Sequence, residues 1–377
     1  MTAASERALG TSETQRATPA KKPSLLRRIA PKLLISMALG ALFAWLAERG
    51  GVPLWPEAAL WARVEPLAVA GYLVSLLILH FLRASRWRFL IAPVQHVPMR
   101  DVVLLNWIGF FAIFALPLRL GELARPALTK LRHGIPISVG LGTVAVERVV
   151  DGLITSLCVA WALLVLDRVE SSDPIATHLP LYGYAALTLF GAAFAALAAF
   201  LWQRRLAVRL TEVTLGWFLP KLAHTLSQKV ANVADGIRSI GDPKLAAGFL
   251  FESLLYWGCN AGGVWLLGVG CGLPMEPGHA AAVMGVLAIG ILLPTGPGLF
   301  GNFQLAVAAA LRLYFPESEV VSAGAVFIFL LYLMQSLVMV VAGVIPLYAM
   351  QLRMGDMIGL PEEGAAGPPE ASGPARG

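Results

Sequence analysis

LPLRLGELARPALTKLRHGIPISVGLGTVAVERVVD, residues Leu116 to Asp151, is the stretch whose reading decides the fold. It is apolar enough to enter a membrane, yet it carries Arg119, Glu122, Arg125, Glu147, Arg148 and Asp151. Pro117, Gly121, Pro126, Gly134 and Pro136 interrupt it. Charges and helix breakers at membrane depth are costly, so they occur where protein or a polar cavity surrounds them. A second broken segment, Leu293 to Pro316, carries PTGPGLFGNFQ with Pro294, Pro297, Gly298, Gly301, Asn302 and Gln304. The rest of the chain reads as the scaffold that holds these two segments.

The composition agrees. Of 377 residues, 57% are hydrophobic and only 14% charged, with a mean hydropathy of +0.71. A soluble domain is about half apolar and a quarter charged. Several apolar runs approach the roughly 20 residues that cross a bilayer. The net charge of +6 therefore bears on topology rather than on nucleic acid, which is not an expected partner. Cys158, Cys259 and Cys271 have no paired spacing, and the six histidines are scattered, so neither a metal site nor a cofactor is expected. Residues 1–31 and 351–377 read as disordered cytoplasmic tails around a transmembrane domain over residues 32–350.

Taken in order, apolar helices are expected at Leu33–Ala47, Pro66–Leu82, Ile137–Leu166, Pro180–Trp202, Leu245–Val269 and Val320–Met350. Asp101–Leu116 with Leu118–Arg132, and Gly278–Arg312, read as re-entrant hairpins. Residues 203–244 are basic, with apolar residues from Leu222 to Ile240 at helical spacing, which suggests an amphipathic segment at the cytoplasmic surface. The basic loops then fall inside and the acidic ones outside only if both hairpins enter and leave on one face. The two halves, about 32–166 and 180–350, correspond: Leu116-Pro117 matches Leu293-Pro294, Gly121 matches Gly301 and Pro136 matches Pro316. The expected fold is all-α: a polytopic membrane protein of about six spanning helices plus two re-entrant broken hairpins, arranged as an inverted repeat.

Glu147 lies ten residues into its helix, about 15 Å and so near the bilayer centre. Glu147 and Asp151, four apart, share a face. A charge there costs at least about 2.5–3.5 kcal/mol unless paired or solvated. Arg125 or Arg119 from the neighbouring hairpin is the expected partner of both carboxylates, either as a static lock or as a site where arginines hold an anionic head group. Arg83, Arg86 and Arg88, beside Trp87, read first as interfacial anchors that signal the inner face, and second as contacts for lipid phosphates. Glu252, Asn260 and Gln335 are intramembrane polar groups that either line the same cavity or bond helix to helix. Gly296, Gly298 and Gly301 fit a dinucleotide-binding pattern only by accident, since no strand precedes them and Pro297 sits inside.

Four stretches carry a family resemblance: RASRWRFL at Arg83–Leu90, LPLRLGELARP at Leu116–Pro126, ERVVDGL at Glu147–Leu153 and PTGPGLFGNFQ at Pro294–Gln304. With them the chain resembles the flippase-like integral membrane proteins named for the transmembrane region of lysylphosphatidylglycerol synthase. The resemblance implies a multi-helix membrane fold and a role in moving or handling lipids. It marks Gly121, Glu122, Arg125, Glu147, Arg148, Asp151, Pro294, Pro297, Gly298 and Gly301. Gln304 departs from the family, whose members often have glutamate there. The aminoacyl-transferase domain of the synthases is not expected, and neither is enzymatic activity.

The expected function is translocation of an anionic lipid, phospholipid or polyprenyl-phosphate-linked, between the leaflets of the cell membrane. The expected substrate-binding residues are Arg119, Glu122, Arg125, Glu147, Arg148, Asp151, Asn302 and Gln304; Pro117, Gly121, Pro294, Pro297, Gly298 and Gly301 are the structural breaks. The alternative is a non-transporting, lipid-binding subunit that anchors a lipid- or glycan-synthesis enzyme. An intramembrane lipid-modifying enzyme ranks below both, because no nucleophile or metal set accompanies the carboxylates.

Overall fold

Proline and glycine punctuate a chain that is otherwise continuous apolar helix. In the computed structural model, which describes residues 25–49, 51, 55–116, 121–169, 174–202, 242–291 and 296–352, every regular element among the described residues is helical. Helix α1 is Leu25–Arg49, starting eight residues before the expected apolar run. A 3₁₀ turn at Ala58–Arg63 leads to α2, Pro66–Ser85, which opens on a proline, a residue suited to the first helical turn. Arg86 joins α2 to the short α3, Trp87–Ile91.

The organising stretch then forms as three helices. Helix α4 is Met99–Ala115, α5 is Ala124–His133, and α6 is Ile137–Val165. Gly134, at φ 70°, ends α5 in the left-handed conformation that favours glycine. Helix α7 is Pro174–Trp202. Its expected start at Pro180 is corrected: Pro174 takes the first helical position, and Pro180 lies inside the helix. Helix α8, Pro243–Gly270, is capped by the Asp242 side chain. Helices α9, Pro277–Gly290, and α10, Asn302–Arg312, form the second broken segment. The four-residue α11, Glu317–Val320, precedes α12, Ala323–Ala349.

Among the described residues, three runs are long and apolar enough to cross a membrane: Pro66–Ile91, Ile137–Val165 and Ala323–Ala349. The arms of the broken segments are shorter. Helix α9 spans about 21 Å and α5 about 15 Å, against a hydrocarbon core of about 30 Å. Arm packs against arm in each segment, α4 on α5 and α9 on α10. The main core lies where α2, α8, α9, α10 and α12 meet, around Tyr72, Leu76, Leu267, Val283, Val307 and Phe327. Outward positions are also apolar, with Leu67, Leu164 and Tyr348 largely exposed, the pattern of a surface that meets lipid rather than water.

The break before α10 depends on one residue. Gly301 sits at φ 83°, and a Cβ there would come within 2.5 Å of the Ala44 backbone in α1. Only glycine satisfies both the turn and the close approach. The residues 117–120 and 292–295, with Pro117, Arg119 and Pro294, lie outside the described residues, as do the expected amphipathic segment over 203–241 and most of both tails.

Candidate functional site

Helix α6 places Thr143, Glu147, Asp151 and Thr155 on one face at four-residue intervals, and all four are buried. Two of them are acids, so each needs a cation brought to it. Helix α5 supplies the first: Arg125 grips Glu147 with both ends of its guanidinium, at 3.1 and 2.5 Å. The same guanidinium donates to Asn106 of α4 at 2.6 Å and lies over the Trp87 ring at 5.3 Å. Trp87 in turn donates its indole N–H to Thr143 at 3.0 Å. This lock therefore joins α3, α4, α5 and α6, and it is the pairing expected from the sequence.

Asp151 is a correction. Among the described residues its partner is Arg86, and Arg125 is spent on Glu147. Arg86 donates to the two carboxylate oxygens at 2.6 and 2.7 Å, and to Ser253 of α8 at 3.0 Å. Trp257 of α8 adds a bond to Asp151 at 2.9 Å. Arg86 is 1% exposed, so it is no interfacial anchor; Tyr256 and Phe249 stack on it instead. Its neighbour Arg88 does sit near the surface, paired with Glu252, which also accepts from Ser85 at 2.6 Å. The Arg86–Asp151 and Arg125–Glu147 pairs are both bidentate, the geometry that makes the planar arginine fork suitable for buried carboxylates.

The remaining predicted residues divide. Arg148 is half-buried and reaches Glu122 at 3.9 Å, a long contact. Asn302 donates to the Gly290 carbonyl at 2.7 Å, and Gln304 accepts from the Gly301 N–H at 2.7 Å. Both thus brace the second broken segment. A glutamate at 304 would accept the same bond, so the departure there leaves the cap intact. Gly298, at φ 73°, turns the chain, and Tyr332 bonds its carbonyl at 3.1 Å. Gly121 allows α5 to approach α4, as argued below.

Below this seam lies a cavity of about 140 Å³, between α2, α6, α8, α9 and α12. Arg83, His80, Arg148, Asp151, Asn260 and Gln335 supply its polar wall. Gln335 also bonds the Tyr72 hydroxyl at 3.1 Å, so it has both roles considered for it. Among the described residues, no group of His, Cys, Asp and Glu is placed to hold a metal ion. The sequence signal for Arg86 and Arg83 was their position: three apart, at the end of a helical run, Pro66–Ile91, that is long and apolar enough to cross a membrane.

A family model described as the lysylphosphatidylglycerol synthase TM region matches residues 32–339. No curated protein and no solved structure matches the chain.

Proposed function

This chain belongs to the lysylphosphatidylglycerol synthase TM region family, and from that premise we propose that it is a membrane lipid translocator. It moves an anionic lipid, with a phospho- or polyprenyl-phosphate-linked head group, between the leaflets of the cell membrane, without enzymatic chemistry of its own. The observation that carries the reading is the polar cavity at the middle of an apolar bundle, walled by Arg83 and Arg148 and backed by two buried ion pairs. Insertion of so many charges is unfavourable, and a polar passage for a head group is the usual reason for it.

The packing supports the further reading as an inverted repeat with re-entrant hairpins. Helix α2 packs on α8, its counterpart in the other half. The first hairpin lies against α12 through α4, and the second lies against α6 through α9, which is the reciprocal arrangement. Hairpins too short to cross would leave about six spans and both termini in the cytoplasm.

The test is reconstitution in liposomes with a leaflet-specific phosphatidylglycerol reporter. The protein is expected to exchange lipid between leaflets, and Arg148→Gln to slow exchange by about tenfold, the effect of losing one charge-assisted contact. Exchange at the rate of empty liposomes, for every lipid tried, refutes translocation and leaves the lipid-binding subunit that anchors a synthesis enzyme.

A further inference from the structure

Leu76, Leu79, His80 and Arg83 share one face of α2, and Arg148, Asp151, Gly152 and Thr155 share one face of α6; both faces border the cavity. Between them the arginines are poorly matched. Asp151 is occupied by Arg86 and Trp257. Arg148 has Glu122 at 3.9 Å, and its buried Nε makes no hydrogen bond among the described residues. Arg83 lies over the Phe110 ring at 4.1 Å and has no carboxylate at ion-pair distance among the described residues. His80 is 4% exposed, and its Nδ1 is buried without a hydrogen bond. Three donors thus border one cavity that, among the described residues, offers no free acceptor of matching charge.

We propose that this cavity binds a phosphate oxyanion, held by Arg83 and Arg148 with His80 Nδ1 as a third donor, and that a lipid phosphodiester is its natural source. The arginine fork matches two phosphate oxygens at once. A cation pair at membrane depth also gains most from a bound anion, because the surroundings screen it little. The choice of lipid rests on the translocator reading and on the opposite wall. Val264, Val283, Met284, Leu287 and Met339 are apolar and would cover the start of an acyl chain. The cavity has on the order of ten times the room that one water needs, enough for a head group and not for the chains.

The test uses the purified full chain in maltoside micelles, titrated with dioctanoyl phosphatidylglycerol, dioctanoylglycerol and inorganic phosphate. Phosphatidylglycerol is expected to bind at least about tenfold tighter than dioctanoylglycerol. Arg83→Gln and Arg148→Gln should each remove about tenfold of that affinity. Without ligand, Arg83→Gln is expected to be as stable as the parent protein or more so, since it removes a cation with no carboxylate. Inorganic phosphate bound as tightly as the lipid would support the grip and assign its source to the free anion. Equal affinity for the two dioctanoyl compounds, or an Arg83→Gln protein that is merely unstable, overturns the site. Exchange that persists without arginine-dependent binding refutes the site and leaves translocation standing; binding without exchange does the reverse.

Discussion

Replacing Arg86 with Met is expected to destabilise the folded protein by about 3–5 kcal/mol, because it leaves the Asp151 carboxylate buried and without its cation. Trp257 would remain as a donor to one oxygen, which does not neutralise the charge. The companion prediction gives the first its meaning. Arg86→Met combined with Asp151→Leu should recover most of the loss, since a buried pair exchanged for apolar residues is often neutral. Denaturant titration of the helical signal in detergent measures both. A single variant as stable as the double would show that the pair does not lock the bundle.

The second large effect is expected at Gly121. A Cβ at that position would lie 2.0 Å from the Ala112 carbonyl carbon and 2.1 Å from the Ile113 nitrogen. Those are backbone atoms of α4, and no rotamer change relieves them. Gly121→Ala must therefore push the start of α5 away from α4, and Arg125 would be drawn from Asn106 and Glu147. Overpacking of this kind costs about 3 kcal/mol. Gly191→Ala in α7 is the control. Its Cβ would meet nothing within 4 Å, so helix propensity alone predicts no loss and up to about 1 kcal/mol of gain. If both alanine variants unfold together in the same titration, the close approach at Gly121 is not what holds the hairpin.

How much of this could be read from the sequence differs by the range of the interaction. The breaks were legible because proline and glycine act locally, and α6 runs from Ile137 as periodicity and Pro136 predict. Glu147 with Arg125 was legible too: both sit in one short stretch, and a buried acid demands a nearby base. Asp151 with Arg86 was not. They are separated by 65 positions, and Arg86 stands between Arg83 and Arg88, where basic clusters normally mark a helix end at the membrane surface. Only the fold, which gathers Asp151 of α6 and Ser253 of α8 around Arg86, shows that Arg86 turns inward while Arg88 turns out. At Asn302 and Gln304 a structural role stayed hidden from the sequence. Polar side chains in an apolar context suggest a ligand, while broken helices also need partners for their ends: Gln304 takes the Gly301 N–H at the start of α10, and Asn302 donates to the Gly290 carbonyl at the end of α9.

The contact between α2 and α8 has a mechanical consequence. The Glu65 N–H bonds the Gly270 carbonyl at 2.8 Å, the Ser75 hydroxyl bonds the Cys259 carbonyl at 2.8 Å, and Ser85 bonds Glu252 at 2.6 Å. These ties run the full length of α2, so the two antiparallel rods form a single rigid beam. Asp151 welds α6 to the same beam through Arg86 and Trp257. On the translocator reading, a lipid would enter the cavity from the opposite side, where α9 and α12 line it and the Gln335–Tyr72 bond would have to part.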